Sequence, residues 1–206
     1  MPTLPKSIIW ARSDTTGADH VLFDDRSGLT ARGVAVAAVP LPFRCQYELS
    51  TDENWAAARL TVTAEGAGWL RTVRMERALG RWRVSTAEQG DLDRALRAAG
   101  HPPVGLPGTE EPGRLDTALD VDLGAAPLFN TLPVRRLRLL DSPAGAEHRL
   151  TVAWVRVPGL EVLPVEQIYT VLAPDRVRYR SGSFTAELTV DPDGYVVHYP
   201  GLAQRA

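Results

Sequence analysis

Asp116, Asp120 and Asp122, followed after a short interval by Arg135 and Arg136, form the densest group of chemistry-bearing side chains in the sequence. In extended backbone successive side chains point to opposite faces. Asp116, Ala118, Asp120 and Asp122 then share one side, and Leu119, Val121 and Leu123 the other. Stacked carboxylates repel each other and require water, a cation or arginine. Arg135 and Arg136 follow a segment bracketed by Pro127 and Pro133 and can return alongside them, where a guanidinium bonds a carboxylate bidentately. Three uses are open for this group. It can be a structural ion-pair network that fixes strand register. It can rim a pocket and bond the polar head of a ligand. It can supply two carboxylates for acid/base catalysis.

Other chemistry is sparse. The sequence holds no phosphate-cradling loop, no dinucleotide fingerprint and no nucleophile elbow. His20, His101, His148 and His198 are scattered, without metal-ligand spacing, so neither a metal site nor a cofactor is expected. Cys45 is the only cysteine, which excludes an intrachain disulfide. It sits in an apolar stretch and reads as a core residue. Trp154, Tyr169, Tyr179, Tyr195 and Tyr199 are among aromatics spread over most of the chain. They serve ordinary packing or line an apolar cavity with a polar mouth.

The elements that must position these residues read as strands. Gly (17) and Pro (16) recur at short intervals between runs rich in Val, Thr, Leu and aromatics. Strands are expected at Ala31–Pro40, Phe43–Leu49, Ala58–Ala64, Trp69–Arg77, Arg81–Ser85 and Val134–Leu140. Further on they are expected at Arg149–Val157, Glu166–Leu172, Arg176–Arg180, Phe184–Val190 and Tyr195–Tyr199. Arg149–Val157 is apolar on both faces, as in a strand covered on both sides. Phe184, Ala186, Leu188 and Val190 are expected to point inward. One segment is helical: Leu92, Ala95, Leu96 and Ala99 recur at helix spacing, with Asp91 placed to cap and Gly100 to stop. The Pro- and Gly-rich stretch after it completes an expected flexible helix-loop insertion at about 88–114.

A chain of 206 residues suits one β domain over 1–206. Net charge is −2, with no basic field for nucleic acid. No stretch has the length of a membrane span or of a secretory leader. Cytoplasmic location without integral membrane association is the resulting expectation.

Several motifs resemble a known family. The run Asp120-Val121-Asp122-Leu123, then Pro127 and Asn130-Thr131-Leu132-Pro133-Val134-Arg135-Arg136-Leu137, is similar to the signature of the bacterial glycolipid-binding family. So are Val152-Ala153-Trp154-Val155, Gln167-Ile168-Tyr169-Thr170, Phe184-Thr185-Ala186-Glu187-Leu188 and the ending Tyr199-Pro200-Gly201-Leu202. The resemblance covers nearly the whole chain and is looser in the first half. Leu128-Phe129 departs from the family order, and the 88–114 segment is longer than its usual connection. The resemblance implies an all-β, mainly antiparallel fold: a spiral β-roll or strongly curved sheet, similar in shape to bacterial lipoprotein carriers. It implies a non-catalytic protein that binds a glycolipid or other amphiphile on the concave side of the roll, and it brings no catalytic residues. Asp120, Asp122, Asn130, Arg135, Arg136, Gln167 and Tyr169 are the candidate ligand-binding residues. The alternatives are a hydrolase or transferase for a lipid or sugar substrate built on Asp116, Asp120 and Asp122, and a protein-interaction module with no small ligand.

Overall fold

A computed structural model describes residues 6–107 and 113–206. Seven strands form an N-terminal meander: β1 (Lys6–Arg12), β2 (Gly17–Asp24), β3 (Thr30–Ala37), β4 (Phe43–Thr51), β5 (Ala57–Gly66), β6 (Trp69–Ala78) and β7 (Arg81–Gly90). Helix α1 (Leu92–Ala98) follows. The second half runs through β8 (Asp120–Leu123), a 3₁₀ turn (Pro127–Asn130), helix α2 (Thr131–Arg136) and a second 3₁₀ turn (Leu139–Asp141). It continues with β9 (Glu147–Val155), β10 (Val162–Ala173), β11 (Arg176–Ser181), β12 (Phe184–Val190), β13 (Val196–Tyr199) and β14 (Ala203–Arg205). All the strands join one 14-stranded sheet in the order β7-β6-β5-β4-β3-β2-β1-β14-β13-β12-β11-β10-β9-β8. Only the β8–β9 pair at one edge is parallel. The fold is the all-β, mainly antiparallel, curved sheet that the sequence implies.

Alternation builds the meander. Trp10, Asp19, Ala35, Cys45, Ala64 and Arg71 stand opposite one another from β1 to β6, and all are buried. In the next row Tyr47 lies beside Gly33, where a Cβ would come within 1.9 Å of the tyrosine ring. The missing side chain lets the ring cross β3. The Tyr47 hydroxyl then reaches Asp19 at 3.1 Å, two strands away. On the other face, Ile9, Leu22, Val34 and Val36 leave an exposed apolar strip along β1–β3.

The interior holds two cores. The first joins the buried face of β1–β7 and α1 to Val121, Leu123, Ala153 and Val155 of β8 and β9. Phe129, on the first 3₁₀ turn, packs edge-on against Tyr47 with ring centroids 5.3 Å apart. The concavity of the N-terminal half is therefore filled by the chain itself. The second core lies between β10–β13 and α2, with Val134 and Leu139 packed on Tyr169, Val177 and Leu188. The edges of the sheet also approach each other. Trp82 of β7 donates its indole N–H to the Ala118 carbonyl just before β8 (2.9 Å), and Arg71 of β6 donates to the Gly159 carbonyl beyond β9 (3.2 Å).

Helix α1 forms where its periodicity places it. The Asp91 carboxylate accepts from the Arg94 N–H at 2.8 Å, and Leu92 and Leu96 face the core. The loop after it is tied back: Asp93 accepts from the Val104 N–H (3.0 Å), Arg71 donates to the Gly105 carbonyl (2.6 Å), and Thr86 donates to the Pro107 carbonyl (2.8 Å). Part of the loop expected to be flexible, residues 108–112, lies outside the described residues.

Three local expectations are corrected. Val134–Leu140 is not a strand but the end of α2 and the start of the second 3₁₀ turn. Its apparent alternation covers too few residues to separate the two periods. Pro133 sits in the first turn, where a missing N–H costs nothing, and Arg135 and Arg136 in the last turn complement the helix dipole. Second, Asp116 lies before β8 and stands 3.8 Å from Arg81, so only Asp120 and Asp122 share the strand face. Third, Phe184 shares the inward face of β12 but is 49% exposed, because it starts the strand at the rim and is covered only in part, by Tyr179 and Tyr199.

Asp19 makes the fold sensitive to pH. Burial pushes its pKa up to about 7, although the Tyr47 bond and the Arg12 charge oppose the shift. Below pH ~4 the carboxyl is protonated in both folded and unfolded chains. Between about 4 and 7 the unfolded chain releases the proton and the folded chain keeps it, so stability falls as pH rises and levels off above 7. Asp19→Asn keeps an acceptor for Tyr47. It should raise unfolding free energy at pH 8 by on the order of 2–4 kcal/mol and leave it nearly unchanged at pH 4. Urea denaturation at the two pH values measures both.

Candidate functional site

A cavity of about 560 Å³ opens on the second half of the sheet. Its polar wall is Asp14, Asp122, Asn130 and Gln167, and its aromatic wall is Trp154, Tyr179, Phe184 and Tyr199. Leu123, Val165 and Leu202 add aliphatic surface. This volume lies within the roughly 300–1,000 Å³ of small-molecule pockets, and the mix of apolar wall and few polar groups is theirs too.

Strand registry assembles the wall. Asp122 stands opposite Trp154 across the β8–β9 pair, and Val165, Gln167 and Tyr169 follow one another along one face of β10. Tyr169 stands opposite Tyr179 on β11. Their rings meet edge-on at 5.4 Å, and Tyr179 contacts Phe184 and Tyr199 at 6.1 and 6.3 Å. The turn between β13 and β14 brings Gly201 and Leu202 to the rim, and the segment after β1 brings Asp14.

A hydrogen-bonded relay runs along the polar end. Asn130 Nδ2 donates to the Tyr169 hydroxyl (2.9 Å), Tyr169 donates to Gln167 Oε1 (3.3 Å), and Gln167 Nε2 donates to Asp122 Oδ2 (2.7 Å). Tyr169 is fully buried behind the wall, and the other three residues reach the cavity. Loss of water raises the Asp122 pKa to about 6, against the lowering by Gln167 and the Leu123 N–H. Burial likewise raises Tyr169, Tyr179 and Tyr199 above the ordinary phenol range, which keeps their hydroxyls neutral.

The seven candidate residues therefore divide. Asp122, Asn130, Gln167 and Tyr169 form one connected group at the cavity. Asp120, 0% exposed, is bonded bidentately by Arg136, with Nε–Oδ1 at 2.9 Å and Nη2–Oδ2 at 2.5 Å. Burial still holds the Asp120 pKa above its ordinary value. This pair ties α2 to β8 and does not line the cavity. Arg135 turns away: it donates to the Asp193 carbonyl (2.9 Å) and lies over the Trp55 ring at 4.5 Å.

Sequence reasoning did not single out Asp14, Phe184, Ser181 or Leu202 for the cavity. Asp14 and Leu202 meet only because the two ends of the chain pair, which no local pattern signals. Phe184 carried a readable signal, a large aromatic next to the turn residues Gly182-Ser183. Cys45 is buried, and desolvation pushes its thiol up to about 12, as for a packing residue.

Removing Arg136 would strand the buried Asp120 charge. Arg136→Met should destabilise the fold by about 3–5 kcal/mol, and adding Asp120→Asn should recover most of the loss. A denaturation double-mutant cycle measures the coupling. A loss under about 1 kcal/mol would show that water reaches the pair.

A crystal structure of a DUF1089 family protein from Pseudomonas aeruginosa has the same fold. Its TM-score is 0.63 and its identity 24%, over 100% of this chain and 94% of that one. No curated protein matches the chain. The model of the family described as "Putative glycolipid-binding" matches residues 7–205, and the chain belongs to that family.

Proposed function

We propose that the protein binds an amphiphile, a glycolipid in the sense of its family's name, in the cavity between β8–β12 and the β13–β14 turn, and leaves it chemically unchanged. The observation that carries this reading is the cavity itself: aromatic and aliphatic walls with a connected polar group, Asp122, Asn130 and Gln167, and two further polar residues, Asp14 and Ser181. A hydrocarbon tail gains about 0.8 kcal/mol per CH₂ moved from water to such a wall. The relay fixes the wall amides before a ligand arrives, so their ordering is not charged against binding. Tyr169 acts through Asn130 and Gln167, while Asp120 and Arg136 hold β8 in place.

One observation favours a second reading, hydrolysis or group transfer. Asp122 is a carboxyl with a raised pKa facing a cavity, a property of general acids. The second carboxylate of the cavity, Asp14, is clamped by Arg12 at 2.6 and 2.5 Å, and Asp120 is enclosed with Arg136. Both are thus committed to arginine partners. Turnover of a nitrophenyl glycoside or ester that disappears in Asp122→Asn would establish this reading.

The binding reading is tested by native mass spectrometry of gently purified protein, followed by organic extraction. A stoichiometric extra mass that extracts as an amphiphile is expected. Val165 is partly exposed on the cavity wall, so Val165→Trp should fill the space and remove that mass without loss of folding. An adduct that persists in the folded Val165→Trp protein would place the ligand elsewhere.

A further inference from the structure

The charges around the cavity are unbalanced. Its wall carries two carboxylates and, among the described residues, no lysine, arginine or histidine. Asp14 has its own counter-ion in Arg12, whose side chain is almost fully buried behind it. Asp122 has none. Its bonds come from neutral donors, the Gln167 amide at 2.7 Å and the Leu123 N–H, and no ion pair reaches it among the described residues. A carboxylate withdrawn from water and held only by neutral groups carries a large desolvation cost, which a cation placed beside it would offset. A carboxylate accepts at up to about four sites, so Asp122 retains capacity for a ligand.

The rest of the wall favours the same charge. Tyr179, Phe184 and Tyr199 gather three aromatic rings beside the space, and Trp154, which carries the Arg156 guanidinium 5.6 Å from its ring centre, completes the wall. Aromatic rings attract ammonium groups. Burial keeps the tyrosine hydroxyls neutral, so they add no competing charge. An anionic head would meet Asp122 with no base on the wall to answer it.

We infer that the cavity selects amphiphiles whose head carries a positive charge, a primary amine or an amino sugar, with Asp122 as the counter-ion and the aromatic wall around it. The inference rests on the amphiphile-binding reading of this cavity and adds the chemical class of the head group.

The test is calorimetric titration at pH 8, below micelle-forming concentrations, with three probes of equal tail length: octylammonium, octyl β-glucoside and octanoate. Octylammonium should bind about tenfold more tightly than octyl glucoside, and octanoate most weakly. In Asp122→Asn, which keeps an acceptor for Gln167, the advantage of the ammonium over the glucoside should shrink to about twofold or less. If the wild type binds the glucoside or octanoate as tightly as the ammonium, or if the preference survives Asp122→Asn, the charge inference is wrong and the cavity remains an amphiphile site. If none of the three binds, both readings fall.

Discussion

The junction between the first and last strands is the constraint on which the rest of the structure depends. β1 pairs with β14 through only three residue pairs, Trp10–Arg205, Ala11–Gln204 and Arg12–Ala203. The junction joins the two meanders into one continuous sheet. Local bonds brace the seam: the Trp10 indole donates to the Val196 carbonyl (2.8 Å), Ser13 N–H to the Leu202 carbonyl (2.8 Å), and the Tyr195 hydroxyl to Asp25 (3.0 Å). Trp10 is fully buried, so its indole N–H must find an acceptor in the other half. The seam is also what carries Asp14 to the cavity rim beside Leu202. The seam thus adds a wall residue from the N-terminal half, Asp14, to a site otherwise built from the second half.

The strands β8 and β9 divide the interior and explain why one part is filled and another open. Their Val121, Leu123, Ala153 and Val155 face the N-terminal half, where Phe129 and Tyr47 complete a packed core. Their other face carries Asp120, Asp122 and Trp154. A buried polar face must satisfy its own hydrogen bonds. Asp120 does so with Arg136, and Asp122 through the relay from Asn130. Because the relay holds its members in place, the space beside it need not collapse around them. The same fixed dipoles hold Asp122 with no cation beside it among the described residues, and the inferred preference for a positive head rests on this.

How much of this was legible in the sequence follows from the range of each interaction. Most strands from Ala31 onward were readable from their apolar and polar alternation, but β8 and β14, four and three residues long, were not among those expected. β1 and β2 were not, since Ile8-Ile9-Trp10 is apolar on successive residues and β2 buries a charged Asp19. Val134–Leu140 misled because six or seven residues fit both periods. Asp122, Asn130, Gln167 and Tyr169 were named, with Asp120, Arg135 and Arg136, from motifs of the resembling family, and side-chain hydrogen bonds link these four across β8, the 3₁₀ turn and β10. Arg135 and Arg136 looked equivalent by spacing, but adjacent helical positions diverge by about 100°. One reaches Asp120 and the other Trp55. The aromatics Trp154, Tyr179 and Tyr199 were legible as possible cavity lining, whereas Asp14 and Leu202, brought together by the pairing of the chain's two ends, left no local trace.

The central claim, that this cavity is the amphiphile site, is tested most directly by a crystal structure with an octyl-chain amphiphile brominated at its tail, located by anomalous scattering. The account predicts a single ordered bromine among Val165, Leu202 and the aromatic wall, with the head group at Asp122. Bromine on the exposed strip formed by Ile9, Leu22 and Val36, with the cavity holding only water, would contradict it.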